Sequence, residues 1–192
     1  MAMIIGICGP SGSGKTTLAN LLAKENAADV ISLDNYFLLD TPYKKYNEQG
    51  KDLELPENTD WKAVASLIDN LKAGTKTAVR KVSWKTNSYS EVDLMPKNMA
   101  IIEGFLLLHD INIVEKLDLS VYIDVPDEVG LARRIKREGT TENEKWFKEV
   151  TFPEYTKRRK IFKSRADLVL NGKITLEENL IILKKAISTL KT

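Results

Sequence analysis

Apolar residues along this chain come in short runs separated by amphipathic stretches. Met3-Ile4-Ile5-Gly6-Ile7-Cys8 is an unbroken apolar run and predicts a strand buried on both faces. Val30-Ile31-Ser32-Leu33 predicts a second strand, ending at Asp34. Ala100-Ile101-Ile102 ends at Glu103-Gly104, and Leu119-Ser120-Val121-Tyr122-Ile123 ends at Asp124. Ala166-Asp167-Leu168-Val169-Leu170 ends at Asn171-Gly172. Between these runs the pattern takes a helical period. Val64, Leu67, Ile68 and Leu71 share one face of a helix predicted over residues 60–72, with Gly74 as its stop. Pro126-Asp127-Glu128 opens another helix, and a longer helical stretch over about 142–163 is interrupted near Pro153. Thr175 and Glu178 make a capping box for a last helix reaching about Leu190.

Alternating short strands and helices predict an α/β fold, with a five-stranded parallel sheet covered on both faces. Two segments break the rhythm. Residues 35–58 are polar, with no clear period, and a long irregular loop of that kind is usually functional. Residues 76–94 alternate and predict an inserted β-hairpin at about 77–94. No repeat, low-complexity tract or linker is visible, so one domain over residues 1–192 is expected.

Residues 9–16 change the picture from fold to chemistry. They read Gly-Pro-Ser-Gly-Ser-Gly-Lys-Thr and match the phosphate-binding pattern G-x-x-x-x-G-K-[ST], between a predicted strand and the helical stretch that begins at Thr17. Glycines let the backbone lie close to a polyphosphate, and the loop's N–H groups with the helix N-terminus cradle the anion. Gly9, Ser11, Gly12, Ser13, Gly14, Lys15, Thr16 and Thr17 are therefore the candidate set for a nucleoside triphosphate. Lys15 would reach the β- and γ-phosphates, and the Thr16 hydroxyl would hold Mg²⁺.

Ligands of open parallel sheets bind beyond the carboxyl ends of the strands. Asp34 and Glu103 end two strands and are expected on the edge that carries the phosphate loop. Glu103 is the candidate metal-supporting acid. Asp34 is the candidate base or positioning group for an acceptor hydroxyl. Arg133 and Arg137, one helical turn apart, are candidates to stabilise a transferring phosphoryl group. Lys157-Arg158-Arg159-Lys160 reads as an exposed helix face. His109 stands alone and is not a metal site. Trp61 and Trp146 read as core or rim residues, while Trp84 in the hairpin could equally face a nucleobase.

Composition narrows the partners. The chain has 192 residues, with 43% hydrophobic and 29% charged content, enough for a substantial core. A net charge of +2 is too small to argue for nucleic acid, and no run is long enough to span a membrane. No targeting segment is expected, and the single cysteine, Cys8, excludes an internal disulfide. A cytoplasmic setting is expected. Oligomeric state is not legible.

The runs Gly9–Thr16, Ser32–Phe37, Ile101–Leu107 and Leu131–Glu138 together resemble the uridine kinase-like branch of P-loop kinases, which includes nicotinamide riboside kinases. The resemblance implies a three-layer P-loop NTPase fold with a short lid at about 137–150. It implies transfer of the γ-phosphate of ATP, with Mg²⁺, to the hydroxyl of a nucleoside. By the same resemblance Asp34 would contact the sugar hydroxyl. Tyr36, Phe37, Trp84 and Glu54 would lie at the substrate, and Arg133, Arg134 and Arg137 would sit on the helix leading into the lid. Arg134 joins the cofactor-binding set, as does Asn171 in a segment beside the adenine.

The family's uridine kinases carry a histidine and a Tyr-Asp-Phe-like run in the hairpin. Here that stretch reads Val82-Ser83-Trp84-Lys85-Thr86-Asn87, so uridine, cytidine, nicotinamide riboside or another hydroxyl compound stays open as acceptor. A GTP-driven switch would need an Asn-Lys-x-Asp run, which is absent. A non-catalytic nucleotide-binding module would not need Lys15, Thr16, Asp34 and Glu103 together.

Overall fold

The computed structural model describes residues 1–51, 55–142 and 144–190. Its centre is a five-stranded sheet of β1 (Met3–Cys8), β2 (Asp29–Ser32), β5 (Met99–Glu103), β6 (Leu119–Asp124) and β7 (Leu168–Asn171), in the order β2-β5-β1-β6-β7. Every pairing is parallel. Side chains alternate across β1. Ile4 and Cys8 join one core, with Ile102 and Tyr122 from neighbouring strands. Ile5 and Ile7 join the opposite core, with Ile101 and Val121. The first core is closed by α2 (Trp61–Ala73) and α6 (Phe152–Arg165), the second by α1 (Lys15–Asn26) and α7 (Leu176–Thr189). These are the three layers the apolar runs predict.

The helices form where period and caps coincide. On α2 the buried residues are Val64, Leu67, Ile68 and Leu71. Asp60 caps its start by accepting from Ala63 N–H at 3.0 Å, and Gly74 ends it at φ 69°. The capping box of Thr175 and Glu178 is formed at the start of α7. The short α3 (Ile111–Val114) and α4 (Asp127–Glu138) flank β6 in sequence.

The interruption near Pro153 is a π-helical turn over Phe147–Thr151, between the short α5 (Glu144–Trp146) and α6. Proline has no N–H to give the preceding turn, and the ladder widens, with Phe152 N–H reaching the Phe147 carbonyl. The hairpin consists of β3 (Thr77–Ser83) and β4 (Ser88–Leu94). Only its first residues reach the core, at Thr77 and Val79. Asn35 Oδ1 accepts from Val82 N–H at 3.0 Å and pins the hairpin to the segment after β2.

Two strand ends differ from the sequence pattern. β2 stops at Ser32, whose hydroxyl accepts from Asp34 N–H and starts a 3-10 turn over Leu33–Tyr36. β7 starts at Leu168 because Asp167 is used otherwise, accepting from the Ser120 N–H at 2.8 Å and hydroxyl at 2.6 Å. No described helix is long and apolar enough to cross a membrane.

Leu71 is fully buried against the sheet. Leu71→Ala is expected to cost about 2–4 kcal/mol through lost burial and a residual cavity. Urea denaturation followed by circular dichroism measures it, and a loss under 1 kcal/mol on the order of an exposed substitution would contradict the packing described.

Candidate active site

β1 delivers the chain into the glycine loop at the carboxyl edge of the sheet. Gly12 has φ +78° and Gly14 has φ +91°, the left-handed region that disfavours side chains. Gly12 is also held by packing, since a Cβ there would lie 2.2 Å from the Gly130 carbonyl oxygen on α4. Gly14 is the N-cap of α1 and makes no side-chain cap, which leaves the first amides of the helix open. Gly9 lies under the loop, where a Cβ would meet Ser13 Oγ at 2.7 Å.

Two hollows meet at this loop. An inner cavity of about 380 Å³ has Lys15, Thr16, Asp34 and Glu103 at one end. Its walls carry the rings of Phe37, Trp84, Phe105, Trp146 and Tyr155. An outer groove of about 360 Å³ follows the loop from Gly12 to Thr17 and continues along Gly172, Ile174 and Thr175. Lys15, Thr16 and Arg137 border both.

The carboxylates are set by the strand ends. Glu103 closes β5 opposite Ile7 of β1 and Ser32 of β2. It is 4% exposed, and its Oε2 has no hydrogen-bond partner among the described residues. Burial raises its pKa, and the negative Asp34 adds to that; Lys15 and hydrogen bonds from Ser32 and Thr16 oppose it. Asp34 is crowded by the cavity walls, which raises its pKa, while the charges of Lys15 and Arg134 act against the rise. Its side chain is still reached by solvent through the open cavity.

The arginines divide between the hollows. Arg134 faces the inner cavity: its Nη1 donates to Ser11 Oγ at 2.8 Å, its Nε pairs with Glu138 at 2.6 Å, and its guanidinium lies 3.6 Å from the Phe147 ring centre. Arg133 borders only the outer groove, its Nη1 3.5 Å from the Gly12 carbonyl. Arg137 is exposed and borders both.

Ser11, Phe37 and Trp84 line the inner cavity, and Ser13 and Thr17 the outer groove. Tyr36 does not reach the substrate cavity, contrary to expectation. It is 3% exposed, and the 3-10 turn points it under the hairpin, with the Arg80 guanidinium 5.5 Å from its ring centre. Asn171 does not line the groove either. Its side chain accepts from Lys173 N–H and its carbonyl from Asn179, and the adjacent Gly172 forms the groove wall. Glu54 lies outside the described residues.

Three features escape the sequence pattern. Trp146, which packs on Val150 as a rim residue would, also walls the inner cavity together with Phe105 and Tyr155, whose ring centres are 4.1 Å apart. Arg158 and Arg159 are not a free basic face. Arg158 pairs with Glu154, and Arg159 pairs with Asp127 and donates to the Val125 carbonyl at 3.3 Å. The Arg159 contacts clamp α6 to the start of α4. His109 stacks on Trp61 at 6.0 Å, away from both hollows.

The site fits a nucleoside triphosphate with one divalent ion. The loop amides and Lys15 suit the phosphates. Thr16 and the buried, partnerless Glu103 oxygen suit the ion. No described cluster of three His, Cys, Asp or Glu could hold a metal by itself. Mg²⁺ takes one or two protein groups and completes its shell with phosphate and water, and Thr16 and Glu103 would be those groups here.

A glycine-loop strand-helix unit with acidic strand tips and arginines beside the loop is the arrangement of a P-loop nucleotide-binding site. Residues 4–170 match the model of the phosphoribulokinase / uridine kinase family, and the chain belongs to that family. A uridine kinase of Schizosaccharomyces pombe is 35% identical over 150 residues, covering 70% of this chain and 31% of the relative. The chain thus spans about a third of that relative's length. A uridine kinase of Mycoplasma pneumoniae is 30% identical over 182 residues, covering 88% of this chain and 84% of the relative. Among solved structures, a possible uridine kinase from Bacillus stearothermophilus superposes with a TM-score of 0.56 at 25% identity, covering 88% of each chain.

The raised pKa of Glu103 has a sign. Its folded-state pKa exceeds the ordinary value of 4.5, so the folded protein holds the proton more tightly. Stability therefore falls as pH rises from the ordinary value through the folded one. Glu103→Gln is expected to flatten that fall and to raise Tm at pH 7 by about 2–4 °C, corresponding to about 1 kcal/mol for a chain of this size. Scanning calorimetry across pH measures both, and a lower Tm in the variant would refute the strained carboxylate.

Proposed function

We propose that this chain is an ATP- and Mg²⁺-dependent kinase that transfers the γ-phosphate to a hydroxyl of a nucleoside, in the manner of uridine and cytidine kinases. The observation that carries the reading is the meeting of the two hollows at Lys15, Thr16 and Arg137. One hollow follows the anion-binding loop, and the other ends at a carboxylate beside the point of contact.

Lys15 and the loop amides hold the β- and γ-phosphates and fix the γ-phosphorus at the junction. Thr16 and Glu103 would hold Mg²⁺, which would supply charge neutralisation at the phosphate oxygens. Asp34 accepts a hydrogen bond from the acceptor hydroxyl, aligns its oxygen with the γ-phosphorus, and takes its proton as the new P–O bond forms and the bond from that phosphorus to the β-phosphate oxygen breaks, releasing ADP. Positioning counts most here, because phosphoryl transfer passes through a loose transition state. Arg134 and Arg137 meet the charge on the transferring group. Phe37 and Trp84 pack on each other at a tilt, with ring centres 6.3 Å apart, and together make one aromatic wall for the acceptor's own ring. The proposal includes a single domain over residues 1–192, a lid at about 137–150 and a reducing, cytoplasmic setting, which suits the one buried thiol, Cys8.

A second acceptor, nicotinamide riboside or another hydroxyl metabolite, is favoured by one observation. The hairpin turn contributes Trp84 to the cavity, a stacking surface whose one hydrogen-bonding group is the indole N–H, a donor only.

The test is ATP consumption by purified protein against a panel of nucleosides and hydroxyl vitamins. One acceptor is expected to stimulate ADP release strongly over the rate in water. Asp34→Asn is expected to lower kcat with that acceptor by about 10²–10⁴-fold and leave KM for ATP nearly unchanged. The acid limb of the kcat/KM profile is expected above the ordinary carboxylate range, following the raised Asp34 pKa. If no acceptor changes ATP turnover, the kinase reading fails.

A further inference from the structure

The outer groove holds one polar group that the phosphate chemistry does not use. Asn179 lies in α7, is 2% exposed and lines the groove. Its Nδ2 donates to the Asn171 carbonyl at 2.9 Å. That contact fixes which way the amide points, because the reversed amide would set Oδ1 against a carbonyl oxygen, acceptor to acceptor. Oδ1 is the remaining end, and among the described residues nothing donates to it. Leaving a buried acceptor unsatisfied is costly, so such a group calls for an explanation.

The groove's geometry supplies one. Its end at Lys15 and Thr16 is the anion cradle. A nucleotide anchored there by its phosphates has its base in the rest of the groove, along Gly172, Ile174, Thr175 and Asn179. Two backbone groups near this wall are committed: the Asn171 carbonyl to Asn179, and Gly172 N–H to the Asp124 carbonyl at 2.7 Å. Thr175 is also occupied, its hydroxyl shared with Glu178 in the capping box.

We infer that Asn179 is a specificity-determining residue for the phosphate donor, presenting its amide oxygen as the hydrogen-bond acceptor for the 6-amino group of an adenine base. An oxygen in that place rejects a 6-oxo purine, whose own acceptor would face it, and gains nothing from an unsubstituted C6. The inference rests on the kinase reading of the groove.

The experiment is titration calorimetry of the full chain with Mg²⁺ and four diphosphates: ADP, purine riboside diphosphate, inosine diphosphate and guanosine diphosphate. ADP is expected to bind tightest, purine riboside diphosphate about 10-fold more weakly, and the two 6-oxo compounds about 100-fold more weakly. This series uses only the unaltered protein, so no folding defect can mimic the result. Asn179→Leu is then expected to bring ADP and purine riboside diphosphate to within about 2-fold of each other. Equal binding of ADP and purine riboside diphosphate to the unaltered protein would overturn the inference and leave the kinase reading standing. Equal preference in Asn179→Leu and the unaltered protein would likewise assign the discrimination elsewhere. Binding of none of the four would remove the nucleotide reading itself, and the inference with it.

Discussion

The site depends on a close approach between two backbones. Gly12 of the phosphate loop and Gly130 of α4 lie so near each other that a Cβ on Gly12 would sit 2.2 Å from the Gly130 oxygen, and one on Gly130 would sit 2.9 Å from the Ser11 oxygen. Two facing residues without side chains let α4 rest directly on the loop. That contact places the next turn of α4 over the phosphates, so Arg134 reaches Ser11 and Arg137 borders both hollows. The far end of the arm is anchored too. Arg159 on α6 pairs with Asp127 at the start of α4, and Lys163 pairs with Asp124 at 2.7 Å. The arginines are thus carried on a helix held both at its start and by the glycine contact.

Around that contact the protein concentrates charge it would otherwise avoid. Two carboxylates and a lysine share the end of one cavity. Burial raises the pKa of both acids, and Lys15 offsets only part of the cost. A fold selected for stability alone would not keep a buried carboxylate oxygen without a partner, as at Glu103. The arrangement is intelligible if ligands complete it, with a cation for Glu103 and a hydroxyl for Asp34. Parallel-sheet topology makes this arrangement available, because it directs the carboxyl ends of β1, β2 and β5 to one edge.

The parts of this arrangement legible in the sequence are those that depend on one segment at a time. Short apolar runs marked every strand of the sheet, and the glycine loop declared its own chemistry. Parts that depend on how two segments meet were not legible. Asp34 and Phe37 reach the cavity, while Tyr36 between them does not, because Ser32 converts the expected strand end into a 3-10 turn. The spacing of Arg133 and Arg137 showed a shared helix face. Only the packing of α4 on Gly12 shows that Arg134 turns to the inner cavity while Arg133 borders only the outer groove. Arg158 and Arg159 looked like a solvated run because their partners, Glu154 and Asp127, are identified by packing of the helix on itself and on α4. Asn179 gave no signal, since a polar residue on an amphipathic helix reads as exposed until its burial is seen.

The same logic bears on how the acceptor would be chosen. Asn58 lines the inner cavity, yet its amide is committed: Oδ1 accepts from Lys45 N–H at 2.5 Å, and Nδ2 donates to the Lys45 carbonyl at 2.9 Å. It braces the loop after Phe37 rather than offering a free edge. The remaining walls carry the rings of Phe37, Trp84, Phe105, Trp146 and Tyr155, beside Leu38, Leu39 and Lys44. Stacking on such surfaces favours flat rings in general and distinguishes poorly among them. On the proposed reading, selectivity for the acceptor then rests on where its hydroxyl falls relative to Asp34, more than on hydrogen bonds to its base. The donor groove is built the other way, with little aromatic surface and one oriented amide. One protein would thus read its two substrates by different physics: the acceptor by shape and reach, the donor by a hydrogen bond that only one class of base can complete.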